Sequence, residues 1–243
     1  MIISTHRDGA LHGARNMERD FEMLHNVQQG VLDIGFRSYT WDPWCVSLGR
    51  NQPISSIDAL KCESLGFDMV QRPTGGRAVL HADEVTYCIV MRIDDSRSAP
   101  FVYQQTHELI FNALQSVAEG LSLSTNSTNL RTHYAASGPL GQACFTSHAR
   151  SEIMCNGRKV VGSAQRVTSG CVLQHGSILC GEGHEQLADV ITATDMERAR
   201  LRSELQHSSA TLHGPGNSVI SSSIVAECIH DGLVNELHRR FAR

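Results

Sequence analysis

The residues of this 243-residue chain with the most chemical potential fall into three short clusters and one cysteine. The segment Arg72-Pro73-Thr74-Gly75-Gly76-Arg77-Ala78-Val79-Leu80-His81 sets a glycine pair between two strand-like runs and brackets it with arginines. Glycines let backbone N–H groups approach a ligand, and guanidinium forks match carboxylate or phosphate oxygens. Arg72, Gly75, Gly76, Arg77 and His81 are therefore a candidate anion site, although a Gly-Gly hairpin with solvated arginines fits the same spacing. The cluster matches neither the G-x-x-x-x-G-K-S/T phosphate loop nor G-x-G-x-x-G. The second cluster runs from Gly157 to Arg166. Strand alternation there sets Lys159 with Val161 and Ser163 on one face, and Val160, Gly162 and Ala164 on the other. A lysine facing a pocket would steady negative charge on an acyl or phosphate oxygen; an exposed lysine beside a turn is the rival reading. The third cluster, Gln174-His175-Gly176-Ser177, interrupts an apolar strand. Glycine inside a strand marks a bulge or a close approach, and His175 reads equally as a satisfied core histidine. Cys144 follows a polar loop and precedes Lys159. Thiolates attack acyl carbonyls, and a nearby cation lowers a thiol pKa, so Cys144 is a candidate nucleophile whose alternative is an inert thiol.

These clusters need elements to hold them. Residues 14–28 place Met17, Phe21 and Leu24 at helical spacing, predicting an amphipathic helix. Short apolar runs over 37–41, 45–48, 67–71, 78–81 and 85–92 predict strands. The stripe Leu109, Ile110, Leu114 and Val117 predicts a helix over 101–121. Residues 123–141, rich in Ser, Thr, Asn and Gly, read as a long surface loop. Asn156-Gly157 between runs 152–155 and 159–167 is a hairpin signal, because both residues tolerate positive φ. Ser169-Gly170 repeats it before 171–180. Helical patterns follow at 185–191, 196–206 and 219–241. Strands interspersed with a few helices and central hairpins predict an α+β fold with an antiparallel or mixed sheet.

Composition narrows the function classes. With 41% hydrophobic and 19% charged residues the chain resembles ordinary globular domains. A net charge of -4 supplies no basic face for nucleic acid, and no stretch approaches the roughly 18 apolar residues of a membrane span. The N-terminal residues lack the apolar run of a signal peptide, so a cytoplasmic protein is expected. Eight cysteines without a C-x-x-C pair fit reduced thiols. Thirteen histidines without H-E-x-x-H spacing predict no metal site.

Three segments in this order resemble the biotin/lipoate protein ligase superfamily: Arg72-x-x-Gly75-Gly76-x-Ala78-Val79-x-His81, Lys159-x-x-Gly162-Ser163-Ala164, and His175-Gly176-Ser177-Ile178-Leu179. Trp44-x-x-x-Leu48-Gly49-x-x-Gln52 ahead of them adds to the resemblance. It implies a class II biotin/lipoate ligase-like catalytic domain with a mixed β-sheet flanked by helices, spanning residues 1–243 as one unit without an accessory C-terminal domain. It also implies an apolar tunnel for an octanoyl or lipoyl chain, with Lys159 near the acyl carbonyl. Arg77 stands where ligases of the lipoate-protein ligase A type carry a third glycine, and Ala143-Cys144-Phe145 matches the nucleophile of the octanoyltransferase (LipM-type) branch. That branch implies transfer from acyl carrier protein through a Cys144 thioester to a lysine of a lipoyl-domain or glycine-cleavage H-type carrier protein, with no cofactor. Arg150-Ser151-Glu152-Ile153 lies where ligases have an Arg-Asn-Asp-like stretch near the nucleotide. An acidic residue there would serve magnesium or cap a strand, so ATP- and Mg-dependent lipoate ligation is the alternative that the resemblance leaves open.

Overall fold

The computed structural model describes residues 1–124 and 151–241. Cys144, Arg150 and, from residue 125 onward, the expected polar loop lie outside the described residues. The first half runs β1 (Ile3–Leu11), α1 (Gly13–Gln28), β2 (Ile34–Trp41), β3 (Cys45–Leu48), α2 (Ala59–Ser64), β4 (Asp68–Gln71), β5 (Val79–His81), β6 (Glu84–Arg92), α3 (Ala99–Leu114) and β7 (Leu121–Leu123). Beyond residue 150 come β8 (Ile153–Cys155), β9 (Arg158–Lys159), β10 (Val161–Thr168), β11 (Cys171–Leu179), α4 (Leu187–Val190) and α5 (Asp195–Ser208). A short ribbon of β12 (His213–Gly214) and β13 (Ser218–Val219) leads into α6 (Ser222–Phe241). The fold is α+β, as expected.

The main sheet has the order β1-β2-β6-β11-β10; β1 and β2 pair in parallel and the remaining neighbours antiparallel. In β6 every residue except Arg92 is buried, the signature of a strand covered on both faces. On one face Met23, Leu24 and Val27 of α1 cluster with Cys88, Val90 and Leu173. On the other, Ile110 and Leu114 of α3 join Ile229 and Leu233 of α6 over Ile34, Phe36 and Ile89. A second sheet, β4-β3-β5, carries the glycine pair in its β4–β5 connection, and a third comprises β7-β8-β9. Among the described residues no helix is long and apolar enough to cross a membrane.

The turn chemistry holds as expected. Asn156 and Gly157 have φ of 50° and 76°, and Ser169 and Gly170 have 48° and 69°. Three expectations need correction. The helix expected to reach residue 121 ends at Leu114, after which the chain turns and enters β7; Gly120, at φ 69°, takes the left-handed conformation that continued helix forbids. The run 159–167 is not one strand either. Arg158 and Lys159 pair with β8, and after Val160 the chain joins β11 in the main sheet. Val160 and Val161 are both fully buried, so alternation breaks between them, and Lys159 does not share a strand face with Val161 and Ser163. Finally, β1 was not expected, because its sequence Ile-Ser-Thr-His-Arg-Asp-Gly-Ala-Leu lacks apolar alternation; it is a half-exposed edge strand held by its ladder to β2.

One junction matters for the site. The Ser124 amide donates to the Glu152 carbonyl at 2.8 Å, and the Ser151 amide donates to the Ser124 carbonyl at 2.9 Å. These two bonds extend the β7/β8 ladder and tie together the ends from which residues 125–150 depart and return.

Candidate active site

A cavity of about 640 Å³ is lined by residues of all three sequence clusters. Arg72, Gly75, Gly76 and His81 contribute from the β4–β5 connection and β5. Lys159 lines it from β9, Gly162, Ser163 and Ala164 from β10, and His175 and Gly176 from β11. Arg77, half-buried, is not part of the lining, and Cys144 lies outside the described residues.

The two glycine clusters are places where chain passes chain. A Cβ on Gly176 would collide with Ser163 Oγ and lie 2.8 Å from both Gly162 O and Tyr87 Cε1. The missing side chain therefore brings β11 against β10 and β6. Gly49 does the same for the Gly75-Gly76 loop, since a Cβ there would run into Gly76 O. Arg72 is buried and spends its guanidinium on this loop: Nη1 donates to Ser47 O at 2.9 Å, and Nη2 to Gly75 O and Arg77 O at 2.8 and 2.7 Å. Its bonds shape the cradle around the cavity.

Lys159 and Glu152 meet at the wall, with Nζ 2.5 Å from Oε1 and both side chains buried. Glu152 was noted in the sequence as a magnesium ligand or strand cap; its carboxylate here faces the ammonium. Backbone contacts fix the lysine: the Lys159 carbonyl accepts from Ala210 N at 2.8 Å, and Lys159 forms a parallel bridge with Ser209.

Three buried histidines share one pattern. His175 Nδ1 lies 3.4 Å from Asp20 Oδ2, and its Nε2 lies 2.5 Å from Thr74 Oγ1. His81 Nδ1 lies 2.7 Å from Glu84 Oε1, and its Nε2 lies 2.7 Å from Ser47 Oγ. His107 Nδ1 lies 2.6 Å from Ser151 O, and its Nε2 lies 2.8 Å from Ser163 Oγ. Each Nδ1 faces an oxygen that only accepts, so for neutral rings Nδ1 carries the proton and Nε2 accepts from the hydroxyl. Burial drives the His107 pKa down to about 4, and it also lowers that of His175 against the pull of Asp20. Both rings are thus neutral near pH 7.

Several site residues were not among the sequence candidates. Asp20 of α1 is a buried hub, accepting from Arg37 Nη1 at 2.7 Å and Tyr39 Oη at 3.0 Å besides facing His175. Burial opposes its charge, but His175 and Arg37 outweigh it and hold the carboxyl below its usual range. Tyr39 and Trp41, two apart on β2 and so on one face, line the cavity. Trp41 stacks on His81 at 4.0 Å between ring centroids and donates Nε1–H to Thr86 Oγ1 at 2.8 Å. The alternation Arg37, Tyr39, Trp41 was a readable signal for that face. His107 was readable too, since Tyr103, His107, Ile110 and Leu114 fall on one helical stripe.

The arrangement offers a channel with aromatic and aliphatic walls, an ammonium at one wall and rigid glycine-rich backbone beside it. That is suited to holding an apolar chain while stabilising charge near its carbonyl. The family model of the lipoyl protein ligase A/B catalytic domain matches residues 12–233. Octanoyltransferase LipM of Clostridioides difficile (strain 630) is 32% identical over 94% of this chain and 84% of its own length. Octanoyltransferase LipM of Kyrpidia tusciae is also 32% identical, over 93% and 84%. Among solved structures, the bi-partite lipoate protein ligase of Thermoplasma acidophilum shares the fold at a TM-score of 0.74 and 19% identity, covering 98% of this chain and 84% of its own. A lipoate-protein ligase A bound with ATP does so at a TM-score of 0.72 and 20% identity, covering 98% and 86%. The chain belongs to the lipoyl protein ligase A/B catalytic domain family, and within it is most like the LipM-type octanoyltransferases.

Proposed function

We propose that this enzyme moves an octanoyl group from acyl carrier protein to a lysine of a lipoyl-domain or H-type carrier protein, in the cytoplasm and through a Cys144 thioester. The Cys144 thiolate attacks the octanoyl thioester carbonyl; a new S–C bond forms, the carrier's S–C bond breaks, and the departing thiol takes up the proton. The carrier lysine amine then attacks the acyl-enzyme, forming the amide and returning the thiol to Cys144. The incoming thioester is already activated, so no nucleotide is required. Lys159 steadies the oxyanion at each step, and Gly75, Gly76, Gly162, Ser163, Ala164, His175 and Gly176 shape the channel around the chain, with Arg72, Arg77 and His81 supporting the loop beside it.

The observation that carries this reading is the joining of Lys159 to an apolar cavity walled by Tyr39, Trp41 and Val79. The other cysteines support Cys144 as nucleophile, since none of the seven in the described residues lines that cavity. Burial pushes the Cys62 thiol up to about 11 and raises those of Cys45, Cys88 and Cys180, whereas a nucleophilic thiol needs a lowered pKa.

Incubation with octanoyl acyl carrier protein, followed by intact-mass spectrometry, tests the proposal. A single octanoyl adduct, labile to hydroxylamine and missing from Cys144→Ala, is expected. Turnover only with free octanoate or lipoate, ATP and Mg²⁺, with release of pyrophosphate and no loss in Cys144→Ala, would instead make the enzyme a lipoate ligase.

A further inference from the structure

We propose that His107 of α3 is a positioning residue for Lys159, acting through the Ser151–Glu152 turn while its other nitrogen anchors Ser163. His107 is fully buried and bridges Ser151 and Ser163, both of which line the cavity. Its Nδ1–H holds the carbonyl of Ser151, a residue with φ of 65°. For a serine this left-handed conformation costs on the order of 1 kcal/mol, so it persists only where its surroundings determine it. Both faces of that turn are tied down, the Ser151 amide by Ser124 O and the carbonyl by His107. The very next side chain is Glu152, whose carboxylate meets Lys159.

The second nitrogen gives this clamp a direction. Gln165 Nε2 donates to Gln174 Oε1 at 2.9 Å, and Gln174 Nε2 donates to Tyr87 Oη at 2.8 Å. Tyr87 lies 2.7 Å from Ser163 Oγ, which lies 2.8 Å from His107 Nε2. Because Nε2 accepts, Ser163 must donate to it and Tyr87 must donate to Ser163. The whole chain therefore runs one way, from Gln165 through His107 to Ser151. Flipping the His107 tautomer would turn Nε2 into a donor, so that the Ser163 hydroxyl proton loses its acceptor there, and would leave the Ser151 carbonyl without its donor.

Two variants separate the arms, since an Asn amide replaces Nδ1 and a Gln amide replaces Nε2. Histidine-ring ¹⁵N spectra of the wild type near pH 7 should show a neutral Nδ1–H ring at His107. Hydrogen exchange at the Ser151 amide should stay near wild type in His107→Asn and speed up at least roughly tenfold in His107→Gln, the loss of one hydrogen bond. The kinetic arm rests on the octanoyltransferase reading: kcat should fall at least roughly tenfold in His107→Gln with little change in KM, and recover in His107→Asn. An Nε2–H tautomer, equal exchange in the two variants, or kcat losses that follow thermal stability alone would overturn the assignment. A wild type idle with octanoyl carrier would retire the reading of function, and the ring spectra and exchange would still judge His107.

Discussion

Lys159 Nζ and Glu152 Oε1 stand 2.5 Å apart with both side chains buried, the lysine on β9 and the glutamate just ahead of β8. Removing the carboxylate charge from so buried an ammonium is expensive. Glu152→Gln is expected to lower unfolding free energy by roughly 3 kcal/mol, and Glu152→Gln with Lys159→Met by clearly less than the sum of the singles. Urea titration of the four proteins measures the coupling. Additive losses would mean that the pair does not interact as the geometry indicates.

Glycine spacing yields a contrast within the cavity wall. Gly176→Ala would drive a methyl into Ser163 and Tyr87, with an expected cost of about 2 kcal/mol or more and loss of transfer. A Cβ added at Gly75 would meet nothing within 4 Å, so Gly75→Ala should leave stability within about 0.5 kcal/mol. Because Gly75 lines the cavity, that same methyl should raise KM for the acyl donor. Thermal melts with steady-state kinetics on both variants distinguish the two roles.

Acid should unfold this protein through its histidines. The His107 pKa is about 4 folded against the usual 6.5, so between those values the unfolded chain binds the extra proton and stability falls as pH drops. The contribution is complete above pH 6.5, diminishes toward pH 4 and then levels off, a span of about 3 kcal/mol. His175, lowered for the same reason, adds to the slope in the same direction. In His107→Asn the dependence of unfolding free energy on pH between 6.5 and 4 should flatten by nearly one proton. An unchanged slope would assign the acid sensitivity elsewhere.

Asp20 links α1 to the channel. Asp20→Asn removes the charge that faces Arg37 Nη1 at 2.7 Å in a buried site, and it should destabilise by roughly 3 kcal/mol. The Asn amide can also turn its NH₂ toward His175, favouring the other ring tautomer, in which Nε2–H donates to Thr74 Oγ1 and the direction of that bond reverses. Ring ¹⁵N spectra of His175 in this variant report the change.

Part of the cavity wall was legible because some of its residues are unusual where they stand. A glycine pair, a lysine before Gly162-Ser163-Ala164 and a glycine inside an apolar strand each had a structural rival reading, yet each lies on the cavity. Less legible were residues whose partners are distant in sequence. Asp20 looks like an ordinary member of a helix until the fold brings it against His175. The strand break at Val160 had a signal, two apolar residues in succession at fully buried positions, but the alternation of Lys159, Val161 and Ser163 matched a simpler pattern. Edge strand β1 carried no signal, because its stability comes from the β2 ladder and from ion pairs such as Asp8 with Arg37.

The two backbone hydrogen bonds joining Ser124 to Ser151 and Glu152 hold residues 124 and 151 side by side at the end of the β7/β8 ribbon. A chain that joins two such neighbouring ends has only a short gap to close, and doubling its length adds merely about 0.6 kcal/mol of closure entropy. Cys144 belongs by sequence to the segment between those ends, whereas Lys159 and the other described cavity residues lie outside it. Substitutions between residues 124 and 151 can therefore accumulate without disturbing the strands that wall the cavity.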